Sequence, residues 1–122
     1  MAADIGQLVG TLFLARDLAH RAHLKTRSYA KHMALEGFYS GIVGLADGLT
    51  EMYQGRFNKL IDIPLLSSQA DQDITGVLSG QLDWIKKARY EAVPKEETAI
   101  HNHIDEVEGL YMSTLYKLRF LS

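Results

Sequence analysis

SYAKHMALEGFYSGIVGLADGLTEMYQ, residues 28–54, decides the fold. Leu35, Phe38, Ile42, Leu45, Leu49 and Met52 recur at spacings of three and four without an intervening proline, the period of one apolar face on an α-helix. Ser28 supplies an N-cap and Gly55 a natural C-terminal stop, so the spacing predicts a helix over 28–54, the longest element of the chain. Gly37, Gly41, Gly44 and Gly48 share one register of that helix. Each glycine costs about 0.5–1 kcal/mol relative to alanine in a helix interior, so the register implies a gain elsewhere. Either the stripe admits another helix at close range outside the bundle's own core, or it leaves a thin helix against its neighbour.

Working outward, Asp4 is a plausible N-cap, and Leu8, Leu12, Ala15, Ala19 and Ala22 carry a first helix to about His23. The break falls at Lys25, Thr26, Arg27 and Ser28. Residues 56–66 form a connection containing Pro64, apolar enough in Leu60-Ile61-Asp62-Ile63 to predict a short packed turn. Ser67 or Ser68 is the expected cap of a third helix marked by Ile74, Val77, Leu78, Leu82, Ile85 and Ala88. Pro94 opens a fourth, with Glu96 and Glu97 expected in its first turn and Ile100, Ile104, Val107, Tyr111, Leu115 and Leu118 facing inward. Four helices of this length without a strand predict an all-α four-helix bundle, a single domain over residues 1–122.

Composition sets limits around that fold. A chain of 122 residues supports one core. The net charge of −2 implies no polyanion partner, and no strong nucleic-acid binding is expected. With no cysteine, thiolate metal sites and disulfides are excluded, leaving imidazole and carboxylate as the strong metal ligands. Arg16, Asp62 and Pro64 break the longest apolar stretches, so no membrane span is expected and a cytoplasmic location is the default.

Within those limits five residues stand out: His20, His32, Glu36, Asp47 and Glu51, at intervals of 12, 4, 11 and 4. Residues four apart share a helix face, so His32/Glu36 and Asp47/Glu51 form two pairs that can each hold a divalent metal. Residues 36 and 47 stand about 16 Å apart along a helix axis, from a rise of about 1.5 Å per residue. One site using both pairs therefore draws the second from another copy of the chain.

These intervals resemble the ferroxidase signature of the Dps branch of the ferritin-like superfamily, the mini-ferritins of starved bacteria, over roughly residues 8–56. The chain also resembles the small ferritin-like proteins of tailed phages. The resemblance implies a ferritin-like bundle that oxidises Fe(II) and sequesters iron, with His20, His32 and Glu36 as ligands from one subunit and Asp47 and Glu51 from its two-fold mate. It implies a two-fold homodimer at least, within a family whose shells hold twelve subunits. Iron is the metal implied, with manganese or zinc as alternatives. Departures are plain too: Arg21 and Lys25 stand where mini-ferritins usually place a tryptophan and a loop glycine, and no Lys or Arg precedes Arg16 to form a DNA-condensing tail.

Other readings compete. His23 projects into the apolar stripe of the first helix and is a rival to His20 as ligand, or a hydrogen-bonded core histidine. His101, His103, Asp105 and Glu108 have metal-compatible spacing in places, but read as an exposed polar face of the fourth helix. Arg16, Arg21, Lys25, Arg27 and Lys31 surround the first helix turn, where they match the helix dipole or meet phosphate. A non-catalytic ferritin-like structural or interaction protein is the alternative function.

Overall fold

The computed structural model describes residues 2–68 and 73–122. Its elements are α1 (Ile5–Lys25), α2 (Tyr29–Phe57), α3 (Ile74–Ala92) and α4 (Thr98–Phe120), and the described residues contain no strand. The protein is an all-α four-helix bundle, as the periodicities predict. α1 packs against α2 and α3, and α4 packs against the same two, so α1/α4 and α2/α3 are the diagonals.

Local chemistry explains where most helices begin. Asp4 caps α1 through a reciprocal box in which its carboxylate accepts from Gln7 N and the Gln7 side chain accepts from Asp4 N. Ser28 caps α2 by accepting from Lys31 N. The other boundaries correct the sequence expectations. α2 runs through Gly55 to Phe57 and stops at Asn58, which adopts the left-handed conformation with φ 54°, the conformation that asparagine tolerates best after glycine. The cap of α3 is Asp73, not Ser67 or Ser68. α4 begins at Thr98, four residues beyond Pro94, because Glu97 N bonds back to Pro94 O in a separate turn. Glu96 and Glu97 thus precede the first turn, and Glu97 binds Arg56 at 2.6 Å.

The inward face of α2 is centred on Phe38, Ile42, Ala46 and Leu49, all fully buried, while Leu45 and Met52 lie at its margin. Phe38 meets Tyr111 edge-on at 5.0 Å between ring centroids. Burial pushes the Tyr111 hydroxyl up from its ordinary pKa, and it donates to Gln81 Oε1 at 2.9 Å.

The segment after α2 is extended, not a short turn. Ile61 N donates to Gln54 Oε1, Ile61 and Ile63 pack on the core, and the backbone climbs α1 past Gly6 and then Gly10. A Cβ at Gly6 would collide with the carbonyl oxygen of Asp62, and one at Gly10 would lie 3.0 Å from that of Pro64. These two glycines are the notch in which the crossover lies. The start of α3 shares a cavity with the end of α1, so the crossover spans the bundle and α3 runs antiparallel to α1.

Candidate metal centre

Three residues, Thr26, Arg27 and Ser28, turn the chain between α1 and α2. The turn is held by Thr26 N to Ala22 O, by Ser28 N to Thr26 Oγ1, and by the Ser28 cap. Its tightness lays His23 against His32, with ring centroids 3.6 Å apart and planes 22° from parallel. The contact is reciprocal: His23 Nδ1 lies 2.7 Å from His32 O, and His32 Nδ1 lies 2.9 Å from His23 O. A carbonyl oxygen can only accept, so both Nδ1 atoms carry hydrogen and donate. In the neutral form of such a ring the lone pair is then on Nε2. Metal-ligating histidines are oriented in this way by a backbone carbonyl on the other nitrogen.

Glu36 stands one helical turn beyond His32, and one ligand atom from each of His23, His32 and Glu36 falls within 4.8 Å of the others. Donors sharing one ion at bonds of about 2.1 Å stand roughly 3–4 Å apart, which makes this set a candidate for one metal ion. His23 is buried, and His32 and Glu36 are half-buried.

His20 is not one of the three. Its ring stacks on Tyr39 at 4.3 Å and lies 6.1 Å from the His23 ring. The hairpin register decides between the two histidines: His23 and His32 flank the turn at nearly equal distance along the chain, whereas His20 is almost a full turn further down α1. Tyr39, missed in the sequence, separates the roles by stacking on His20 and meeting His23 edge-on at 5.2 Å. Asp47 and Glu51 are exposed further along α2. At about 1.5 Å per residue they are roughly 16 and 22 Å from the level of Glu36, so within one chain they do not join the histidines.

The glycine stripe divides. A Cβ at Gly41 would lie 3.2 Å from Leu110 Cδ2, and one at Gly48 would lie 2.8 Å from His103 Cε1. These two receive α4 of the same chain, which corrects the expectation that the whole stripe serves a contact outside the bundle. His103 donates from Nε2 to Leu45 O at 2.7 Å. Gly37 and Gly44 face open space.

The polar cluster of α4 is not a solvated face at His101, which is buried. It surrounds Arg89, a buried cation that the sequence showed only as an arginine spaced four residues after Ile85. Arg89 Nε donates to His101 Nδ1 at 3.1 Å, Nη2 to His101 O at 2.7 Å, and Nη1 to Glu108 at 2.9 Å and Asp105 at 2.8 Å. Burial disfavours the charged guanidinium, but Glu108 and Asp105 outweigh it and hold the Arg89 pKa above its ordinary value. With Nδ1 accepting from Arg89, His101 Nε2 donates to Val93 O at 3.2 Å. Neither nitrogen is left for a metal.

The chain belongs to DUF5856, a family of unknown function, whose profile matches residues 23–118. The matched stretch opens at His23 and takes in His32, Glu36, Asp47 and Glu51. The chain is also similar to the uncharacterized 14.6 kDa protein in the mobD-ri intergenic region of Enterobacteria phage T4, with 29% identity over 92% of this chain and 85% of the relative. No solved structure matches. Among the described residues no helix is long and apolar enough to cross a membrane.

Proposed function

We propose that this chain is a ferritin-like metal protein of Dps type. Iron binds at His23, His32 and Glu36 of one subunit and at Asp47 and Glu51 of a second, where Fe(II) is oxidised and sequestered. The observation that carries the reading is the convergence of the Glu36 carboxylate with a reciprocal imidazole pair whose Nδ1 atoms are both held by backbone carbonyls. The end-to-end crossover before α3 supports it, since one long crossover is the connection of ferritin-like bundles. So does the outward opening of Gly37 and Gly44 on the helix that carries all four remaining ligands.

The chemistry follows from the donor set. Carboxylates suit hard iron ions and offset the charge that grows as Fe(II) becomes Fe(III), while the hydrogen-bonded imidazoles hold the geometry. Each Fe(II) gives one electron, and two together reduce one peroxide, with two protons, to two waters.

Two measurements test this. Anaerobically added Fe(II) is expected to oxidise faster than free Fe(II) once oxygen or peroxide is supplied, and His32→Ala or Glu36→Ala is expected to remove the acceleration. Subunits carrying Glu36→Ala, mixed equally with subunits carrying Glu51→Ala, test the sharing. Half of randomly formed dimers are mixed and each holds one intact site of two, so about a quarter of wild-type activity returns. Equal rates with and without protein refute oxidation; subunit exchange without recovery refutes the shared site.

A further inference from the structure

A cavity of about 660 Å³ opens where the α1–α2 turn meets the start of α3, within the range of small-molecule sites, about 300–1,000 Å³. Part of its wall is apolar, with half-buried Leu18, Ala22 and Val77 and buried Leu35. Three exposed cations, Arg21, Lys25 and Lys31, stand around it, against one carboxylate, that of Asp73, among the described residues. Arg21 is bound to Asp17 at 2.8 Å, and Asp73 is engaged in capping α3 at Gly76 N. Lys25 and Lys31 make no ion pair among the described residues.

The placement of Lys31 is the telling one. It occupies the first turn of α2, which holds no acidic residue, so its charge opposes the positive end of the helix dipole. The first turn of α3 borders the same cavity through Ile74 and Thr75, and its positive end is already met by the Asp73 carboxylate. An anion placed here relieves the charge of Lys31 at the start of α2. A small inorganic anion leaves the wall of Leu18, Ala22, Leu35 and Val77 uncovered, and a neutral lipid leaves the lysines uncompensated.

We infer that this cavity binds a free alkyl carboxylate, its head between Lys25 and Lys31 and its chain along Leu18, Ala22, Leu35 and Val77. The site is separate from the metal centre and does not depend on the function proposed for it. The test is calorimetric titration of the full chain with decanoate below its micelle concentration. One saturable site per chain is expected, with decanol at least tenfold weaker. The exposed double substitution Lys25→Gln/Lys31→Gln is expected to weaken decanoate at least tenfold without lowering the thermal midpoint of the ligand-free protein. Absence of saturable heat, equal affinity for decanol, equal affinity for inorganic phosphate, or indifference to the double substitution overturns the assignment.

Discussion

Replacing His23 and His20 separately by alanine separates the ligand set built by the fold from the one suggested by sequence intervals. Zinc is the probe, because it binds the same donors without changing oxidation state. At a free concentration of one hundred times its Kd, a bound ion stabilises the native state by about 2.7 kcal/mol. With an unfolding entropy of roughly 2.1 cal/mol/K per residue, the 122 residues give a rise in thermal midpoint of about 10 °C. His23→Ala deletes one of three converging donors and the ring that stacks on His32, although the bond from His32 Nδ1 to the backbone carbonyl of residue 23 survives. If the site weakens a hundredfold, the same zinc concentration stabilises by only about 0.4 kcal/mol, a rise of less than about 2 °C. His20→Ala removes the stack on Tyr39, costing the zinc-free protein about 0.5–1.5 kcal/mol, but the rise on adding zinc stays near 10 °C. Scanning calorimetry of both variants and the wild type with and without zinc reads all six midpoints. A rise that survives His23→Ala and vanishes in His20→Ala refutes the reasoning, as does a wild type indifferent to zinc.

Three further outcomes follow from the packing and the charge. Gly6→Ala places a Cβ against the Asp62 carbonyl and is expected to cost about 1–3 kcal/mol in urea unfolding as the crossover lifts; Gly37→Ala, in open space, is expected to stabilise the isolated chain by about 0.5–1 kcal/mol while weakening self-association in sedimentation. Arg89→Ala leaves the nearly buried Glu108 carboxylate and the His101 carbonyl without their donor and is expected to cost about 3–5 kcal/mol, whereas Asp105→Ala, at a side chain 63% exposed, costs under about 1 kcal/mol; equal losses in denaturation would contradict the network. With a net charge of −2, no retention of DNA is expected at physiological salt; a gel shift at sub-micromolar protein would show the cations around the first turn to be a nucleic-acid surface.

Sequence carries what is local and periodic, and the fold's legibility follows that line. Asp4, Ser28 and the apolar spacings of all four helices announce themselves because capping and burial act within one or two turns. The end of α2 did not, since Gly55 and Asn58 both offer a stop and only the packing of Phe57 against the core and Tyr53 chooses the later one. The crossover reads as a turn in the sequence because its partners, Gly6 and Gly10, lie more than fifty residues earlier in the chain. The candidate metal centre divides in the same way. His32 and Glu36 were legible as a pair on one helix face, but the choice between His23 and His20 is made by register across a three-residue turn, a property of two helices together. Arg89 hid for a related reason. A lone arginine on an apolar face reads as a surface residue whose stem snorkels outward, until α4 supplies two carboxylates and a histidine to keep its charge inside. An arginine near one helix end and a His-x-x-x-Asp-x-x-Glu run on the next helix, which joins His101, Asp105 and Glu108, is the signal that would have paired them. It becomes meaningful only once the Val93–Glu97 turn sets α3 and α4 antiparallel.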